Sequence, residues 1–131
     1  MPNVVIEIRR AIPADEEVAI IEAVHSALRK AFGIPAGDRN VRLFAHEPHR
    51  FASPPDLRRP ELYTCVSIDA FAGRSIAAKR DLYRTIVENL EGLGIPKDHV
   101  IILLRDVARE NWGIRGGQAA SDVELSFKVD V

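Results

Sequence analysis

Cysteine is nearly absent from this chain of 131 residues: there is one, Cys65. A single thiol closes no internal disulfide, and neither a Cys-x-x-Cys pair nor a histidine-rich spacing suggests a metal site. Cys65 lies in the apolar run "LYTCVSIDAF" and reads as a buried, inert thiol rather than a nucleophile. An excess of charge of one sign is also missing. Eighteen Lys and Arg against 19 Asp and Glu leave a net charge of −1, with the two signs interspersed and no tail of either. That excludes a nucleic-acid-binding surface and an anionic-membrane surface as the basis of function. No apolar run approaches the roughly 18 residues that suggest a bilayer span. The start of the chain lacks the charged and apolar regions of a secretory signal, so the expected location is the cytoplasm.

What is present suits one domain, residues 1–131, with a single core: 47% apolar and 28% charged residues. The chain begins "MPNVVIEI", a proline ahead of an alternating run. Proline has no N–H to give a sheet, and the first residue of a strand is one of its few places there. The second reading is chemical. If Met1 is removed, Pro2 carries a free secondary amine.

Strands are expected at 3–10, 40–47, 62–70 and 99–107. Helices are expected at 13–32 and 75–93. In the first helix Val18, Ile21, Val24, Leu28 and Phe32 fall near one face. Pro13 and the acidic trio Asp15, Glu16 and Glu17 mark its start, and Gly33 its end. In the second, Leu82, Ile86 and Leu90 share a face, with Ser75 as N-cap. Residues 48–61, "PHRFASPPDLRRPE", carry four prolines and read as an irregular connector. "FGIPAGDRNVRLF" (32–44) and "LGIPKDHVIILL" (93–104) then match, helix exit to strand, with their GIP triplets 61 residues apart. The chain thus reads as a pseudo-repeat of two β-α-β units, 2–47 and 62–107, followed by a hairpin at 111–131.

The expected fold class is α+β. Parallel crossovers put both helices on one face of a four-stranded sheet. Strands such as "HVIILL" are apolar on both faces, so the other face needs a cover, and oligomerisation is the natural one. The closing alternation "VELSFKV" suits a hairpin or a strand added to a neighbouring subunit.

Met-Pro, the doubled β-α-β pattern, and the pieces "AFGIPAGDR" (31–39), "GRSIAAKRDLY" (73–83) and "ENWGIRGG" (110–117) together resemble the tautomerase superfamily. The resemblance is to its malonate semialdehyde decarboxylase and cis-3-chloroacrylate dehalogenase-like group. It implies a trimer of fused β-α-β units, no cofactor, a small carboxylate substrate, and catalysis by the amine of Pro2. An α-amino group titrates near 7.7–8.0 in the open, and burial or a nearby cation lowers that value. A neutral Pro2 would be a general base for keto–enol isomerisation. A protonated one would be a general acid for hydration or decarboxylation.

By the same resemblance Arg74, at a strand-to-helix junction, binds the substrate carboxylate. A guanidinium can do so through two parallel hydrogen bonds, and a helix N-terminus favours the anion. A solvated loop arginine is the plain alternative. Asp38 in "AGDR" positions water or substrate, or serves the turn. Trp112 forms an apolar wall, or anchors a subunit interface. Ile114 stands where relatives usually have phenylalanine, and Arg115 beside it adds positive charge. His25 either lies near the substrate or is a partly buried structural histidine. Arg39 reads as a surface charge or oligomer contact. His46 and His49 lack a third metal ligand. The decarboxylases carry a second arginine two residues before the one matched by Arg74. Here that residue is Ala72, which favours proton transfer over decarboxylation. The alternatives to a tautomerase are therefore a hydratase or decarboxylase with protonated Pro2, and a non-catalytic oligomeric binding module.

Overall fold

The computed structural model describes residues 2–131. Met1, whose removal would free the amine of Pro2, lies outside the described residues. The element order is β1 (Asn3–Ile8), α1 (Ala14–Phe32), β2 (Val41–Ala45), β3 (Thr64–Phe71), α2 (Ile76–Glu91), β4 (Val100–Val107), β5 (Gly113–Ile114) and β6 (Gln118–Ala119). The first four strands form one sheet in the order β2-β1-β3-β4. β1 pairs parallel with β2 and β3 parallel with β4, while the central β1–β3 pair is antiparallel. Each β-α-β unit supplies one parallel pair, and the two units meet back to back at the centre.

Strand alternation decides which side is the core. Val4, Ile6 and Ile8 of β1 and Val66, Ile68 and Ala70 of β3 are buried, and they pack on Val24, Leu28 and Phe32 of α1 and Leu82, Ile86 and Leu90 of α2. Both helices therefore cover the same face. On α1 the buried stripe is centred on Ile20, Val24, Ala27 and Leu28. Val18, expected on that face, is 55% exposed because at 3.6 residues per turn it points away from the centre of that stripe.

The helix ends follow local chemistry. Three acidic residues sit in the first turn of α1 and Arg29 and Lys30 in its last, as the helix dipole favours. Gly33 closes it at φ 65° and donates its N–H to the carbonyl of Arg29. Ser75 caps α2 by accepting the N–H of Ala78 at 3.1 Å. In both copies of the GIP triplet the glycine takes a left-handed backbone (Gly33 φ 65°, Gly94 φ 92°). The isoleucine that follows, Ile34 or Ile95, drops into the core at 4% and 3% exposure.

The second face of the sheet is bare. Phe44, Ile101 and Leu103 stand on it about half exposed. Cys65 lies on this face too, half-buried rather than in the core. Burial pushes its thiol pKa up, so it stays an inert thiol. At the edge where β1 begins, the bare face is polar. Arg105 donates to Asp69 at 2.6 Å, and the Asn3 amide donates to Asp69 at 3.4 Å. Arg42 and Asn40 donate to Asn3 at 2.7 and 3.1 Å.

After β4 the chain makes the short β5–β6 hairpin and then a tail that forms no further strand in this chain. "VELSFKV" has the period of a strand but pairs with no strand of this chain. Its alternate apolar residues Val123, Leu125, Phe127 and Val129 instead gather on Phe71, Ile114 and Ala120 in a second small core. Val131 accepts the N–H of Ser75 at 2.8 Å, tying the tail to the start of α2.

Candidate active site

Because β1 and β2 run one way and β3 and β4 the other, one sheet edge collects the starts of the first pair and the ends of the second. Pro2 immediately precedes β1 and is buried. The β1–β3 register, continued by one residue, sets it opposite Ala70. Asp38 leads into β2, Arg74 follows β3, and Trp112 follows β4. Residues far apart in sequence thus converge at this edge.

Arg74 is the most informative of them. It is 7% exposed. Its guanidinium lies 4.7 Å from the ring centre of Phe32 and 5.9 Å from that of Phe127. One nitrogen, Nη1, donates to the carbonyl of Phe71 at 3.0 Å. Nε and Nη2 are buried and have no partner among the described residues. Burial pushes the group below the usual arginine range, and Asp106 partly offsets this. A guanidinium stays charged at neutral pH even so. A buried cation between two aromatic rings with two idle donors is costly unless something anionic takes them. Gly73 is required beside it: φ is 134°, and a Cβ there would stand 3.0 Å from the Val129 side chain.

A cavity of about 50 Å³ is lined by Pro35, Asp38, Phe71, Ile114, Arg115 and the tail residues 125–127. Phe71 and Phe127 belong both to the cavity wall and to the surroundings of Arg74. Trp112 packs edge-on to Phe71 with ring centres 5.0 Å apart and donates its indole N–H to the carbonyl of Val107 at 3.3 Å. It therefore stands behind the wall. Arg115 has a left-handed backbone, φ 50°, next to Gly116 and Gly117, and donates to the carbonyl of Glu124 at 3.3 Å.

The sequence reading and the geometry overlap unevenly. Asp38 and Ile114 share the cavity, Arg74 and Trp112 each contact Phe71 of its wall, and Pro2 lies at the same sheet edge. His25 does not line it among the described residues; its ring, 2% exposed, bonds the backbone carbonyl of Asp38 at 3.0 Å. Arg39 pairs with Glu22 on α1. His46 donates to Glu7 at 3.0 Å on the bare sheet face, and no group of three metal-ligating side chains occurs among the described residues. Phe127, Leu125 and Phe71 were not singled out from the sequence as site residues. The alternation of "VELSFKV" was the available signal, but it speaks for a strand as readily as for a strap. A larger groove of about 310 Å³, lined by Arg10, Ile12, Glu16 and Leu93, lies beyond the end of β1, at the opposite edge from Pro2.

A family model described as a tautomerase enzyme matches residues 38–115. Among solved structures, malonate semialdehyde decarboxylase superposes with a TM-score of 0.82 at 22% identity, covering 93% of this chain and 99% of that one. FG41 malonate semialdehyde decarboxylase, in its form inhibited by 3-bromopropiolate, superposes with a TM-score of 0.77 at 30% identity, covering 94% and 98%. A fused 4-OT described as an asymmetric trimer superposes with a TM-score of 0.81 at 20% identity, covering 92% and 97%. No curated protein gives a significant match.

Proposed function

The chain belongs to the tautomerase family, a family of enzymes, and from that premise we propose that it is a cofactor-free keto–enol tautomerase acting on a small 2-oxo or enol carboxylate. The N-terminal amine of Pro2, freed by removal of Met1, is the general base. Arg74 takes the substrate carboxylate on its two unpartnered nitrogens. The amine accepts the proton of the enol hydroxyl. The oxygen lone pair becomes the carbonyl bond, the carbon–carbon double bond shifts its pair to C3, and C3 recovers the proton from the prolinium. No atom is gained or lost, so no co-reactant is needed. Trp112, through Phe71, and Ile114 keep the site apolar, which strengthens the Arg74–carboxylate attraction and favours a neutral amine. Asp38 orients substrate or water from the cavity wall, and Arg115 adds positive charge at its rim.

The observation that carries this reading is the buried Arg74 guanidinium with two idle donors, set between Phe32 and Phe127. A second reading has support of its own: the likeness at 30% identity is to a decarboxylase. There a protonated Pro2 would assist loss of carbon dioxide from a 3-oxo acid, or hydration of an unsaturated one. The bare, partly apolar sheet face supports assembly as a homotrimer.

The test is ketonisation of phenylenolpyruvate by untagged protein whose N-terminus is confirmed by intact mass, beside the Pro2→Ala variant. Pro2-dependent turnover is the expected result. Absence of turnover in Met1-free protein, together with release of carbon dioxide from malonate semialdehyde, would move the assignment to the second reading.

A further inference from the structure

We propose that His25 is a positioning residue that acts through the backbone of Asp38, not a substrate contact; this rests on the role given to Asp38 above. The segment from Gly33 to Asn40 joins α1 to β2 and contains two glycines, so its path is not fixed by its own residues. Its internal bonds are few: the N–H of Asp38 donates to the carbonyl of Pro35 at 3.1 Å, and that of Arg39 to the carbonyl of Gly37 at 2.9 Å. Asn40 ties the end of the segment to β1, accepting the N–H of Val4 at 3.0 Å and donating its amide to Asn3 at 3.1 Å. A further hold comes from α1. His25 Nε2 lies 3.0 Å from the carbonyl oxygen of Asp38. A carbonyl only accepts, so Nε2 carries the hydrogen, and the partner assigns the tautomer.

One turn earlier on the same helix, Glu22 takes the guanidinium of Arg39. That hydrogen bond holds the Glu22 carboxyl below its ordinary range. Two helix residues spaced i, i+3 share one side of α1 and so grip two consecutive loop residues. The Glu22–Arg39 pair is exposed and screened by water, whereas the His25 ring is nearly fully buried. The His25 bond is therefore the stronger of these two ties between α1 and the loop. With the carbonyl of Asp38 held against α1, its side chain lines the cavity facing Phe71, Ile114 and Phe127. Displacement of a site group by an ångström costs on the order of 100-fold in rate.

His25→Phe keeps the ring volume and removes the donor, and His25→Gln keeps a donor of similar reach. The phenol-free ring of His25→Phe is expected to lower kcat for phenylenolpyruvate by about 10- to 100-fold, with KM within about threefold because Arg74 still holds the carboxylate. His25→Gln recovers most of the loss. In an Asp38→Asn background, His25→Phe has little further effect on kcat, since the two act as one unit. Amide hydrogen exchange over residues 37–40 is faster in His25→Phe and unchanged in Pro2→Ala. A rise in KM at constant kcat, full additivity with Asp38→Asn, or unchanged exchange in His25→Phe would overturn the proposal. The exchange arm reads the hold directly. It separates failure of this inference from failure of the tautomerase reading, which would show as turnover indifferent to Pro2→Ala.

Discussion

At the residue scale, Arg74 sets function against stability. Among the described residues its guanidinium makes one hydrogen bond, to the carbonyl of Phe71, and leaves two buried nitrogens unused. Replacing a poorly paired buried charge with an apolar side chain of similar length is often neutral or stabilising by about 1–4 kcal/mol. Arg74→Met is therefore expected to leave the melting temperature unchanged or raise it. It is also expected to lower kcat/KM by about 100-fold or more through loss of two charge-assisted hydrogen bonds. Thermal denaturation and steady-state kinetics on the same preparation check both halves. A large drop in melting temperature would make Arg74 a structural residue. Its type and place were legible in "GRS", which puts an arginine at a strand-to-helix junction. Its burial was not, because Phe32 and Phe127, which enclose it, lie on an earlier helix and a later tail. From the sequence His25 reads as a substrate neighbour or as a partly buried structural histidine, and a helix-face position does not reveal which polar group meets the ring across the fold.

At the element scale, the two β-α-β units invite parallel tests. Gly33 and Gly94 both hold left-handed backbone, and a Cβ at either meets nothing within 4 Å. Alanine at each then costs only the backbone strain of that region, roughly 1–2 kcal/mol. Urea denaturation of Gly33→Ala and Gly94→Ala should show losses of similar size. The repeat was readable in the sequence because the same physical need, a helix stop followed by a core isoleucine, recurs as the same letters.

The antiparallel join between the units carries the Arg105–Asp69–Asn3 bonds. The hydrogen bond from Arg105 is the main cause that holds the Asp69 carboxyl below its ordinary range. A carboxyl lowered on folding contributes stability fully above its unfolded value of about 3.9 and loses it as pH falls through the lower folded value. Asp69 lies on a partly exposed face, so the contribution is about 0.2–1 kcal/mol. Asp69→Asn should be less stable than the parent at pH 7 and nearly equal to it at pH 2–3, by urea midpoints at each pH. An equal deficit at both would assign its effect to packing. In the tail, the expected hairpin at 111–131 holds the short β5–β6 pair, and the alternating segment after it packs within the chain as a second small core. Period two in "VELSFKV" is the mark of a half-buried extended segment. Such a segment becomes a strand only where it meets a strand partner, and sequence periodicity does not name the partner.

At the scale of the whole molecule, the bare face of the sheet is the surface on which the proposed assembly rests. Phe44, Ile101 and Leu103 are half exposed on it, across from a helix-covered face that needs no partner. Both-sided apolarity of β4 made this legible from the sequence, although the number of subunits was not. Leu103→Lys should shift the protein to monomers in sedimentation at micromolar concentration, while the parent sediments as a trimer. An unchanged trimer would place the interface elsewhere. The convergence of Pro2, Asp38, Arg74 and Trp112 follows from strand direction alone once the order β2-β1-β3-β4 is known. The sequence could propose each residue, but only the antiparallel central pair brings them to one edge.

The central claim is that Pro2 presents a free amine to a carboxylate held by Arg74. The most direct measurement is mass mapping after incubation with 3-bromopropiolate, an electrophilic carboxylate, for the untagged parent and Arg74→Met. The account predicts protein lacking Met1, one adduct located on Pro2, and much slower labelling in Arg74→Met. Protein that retains Met1, or labelling that spares Pro2 or ignores Arg74, would contradict it.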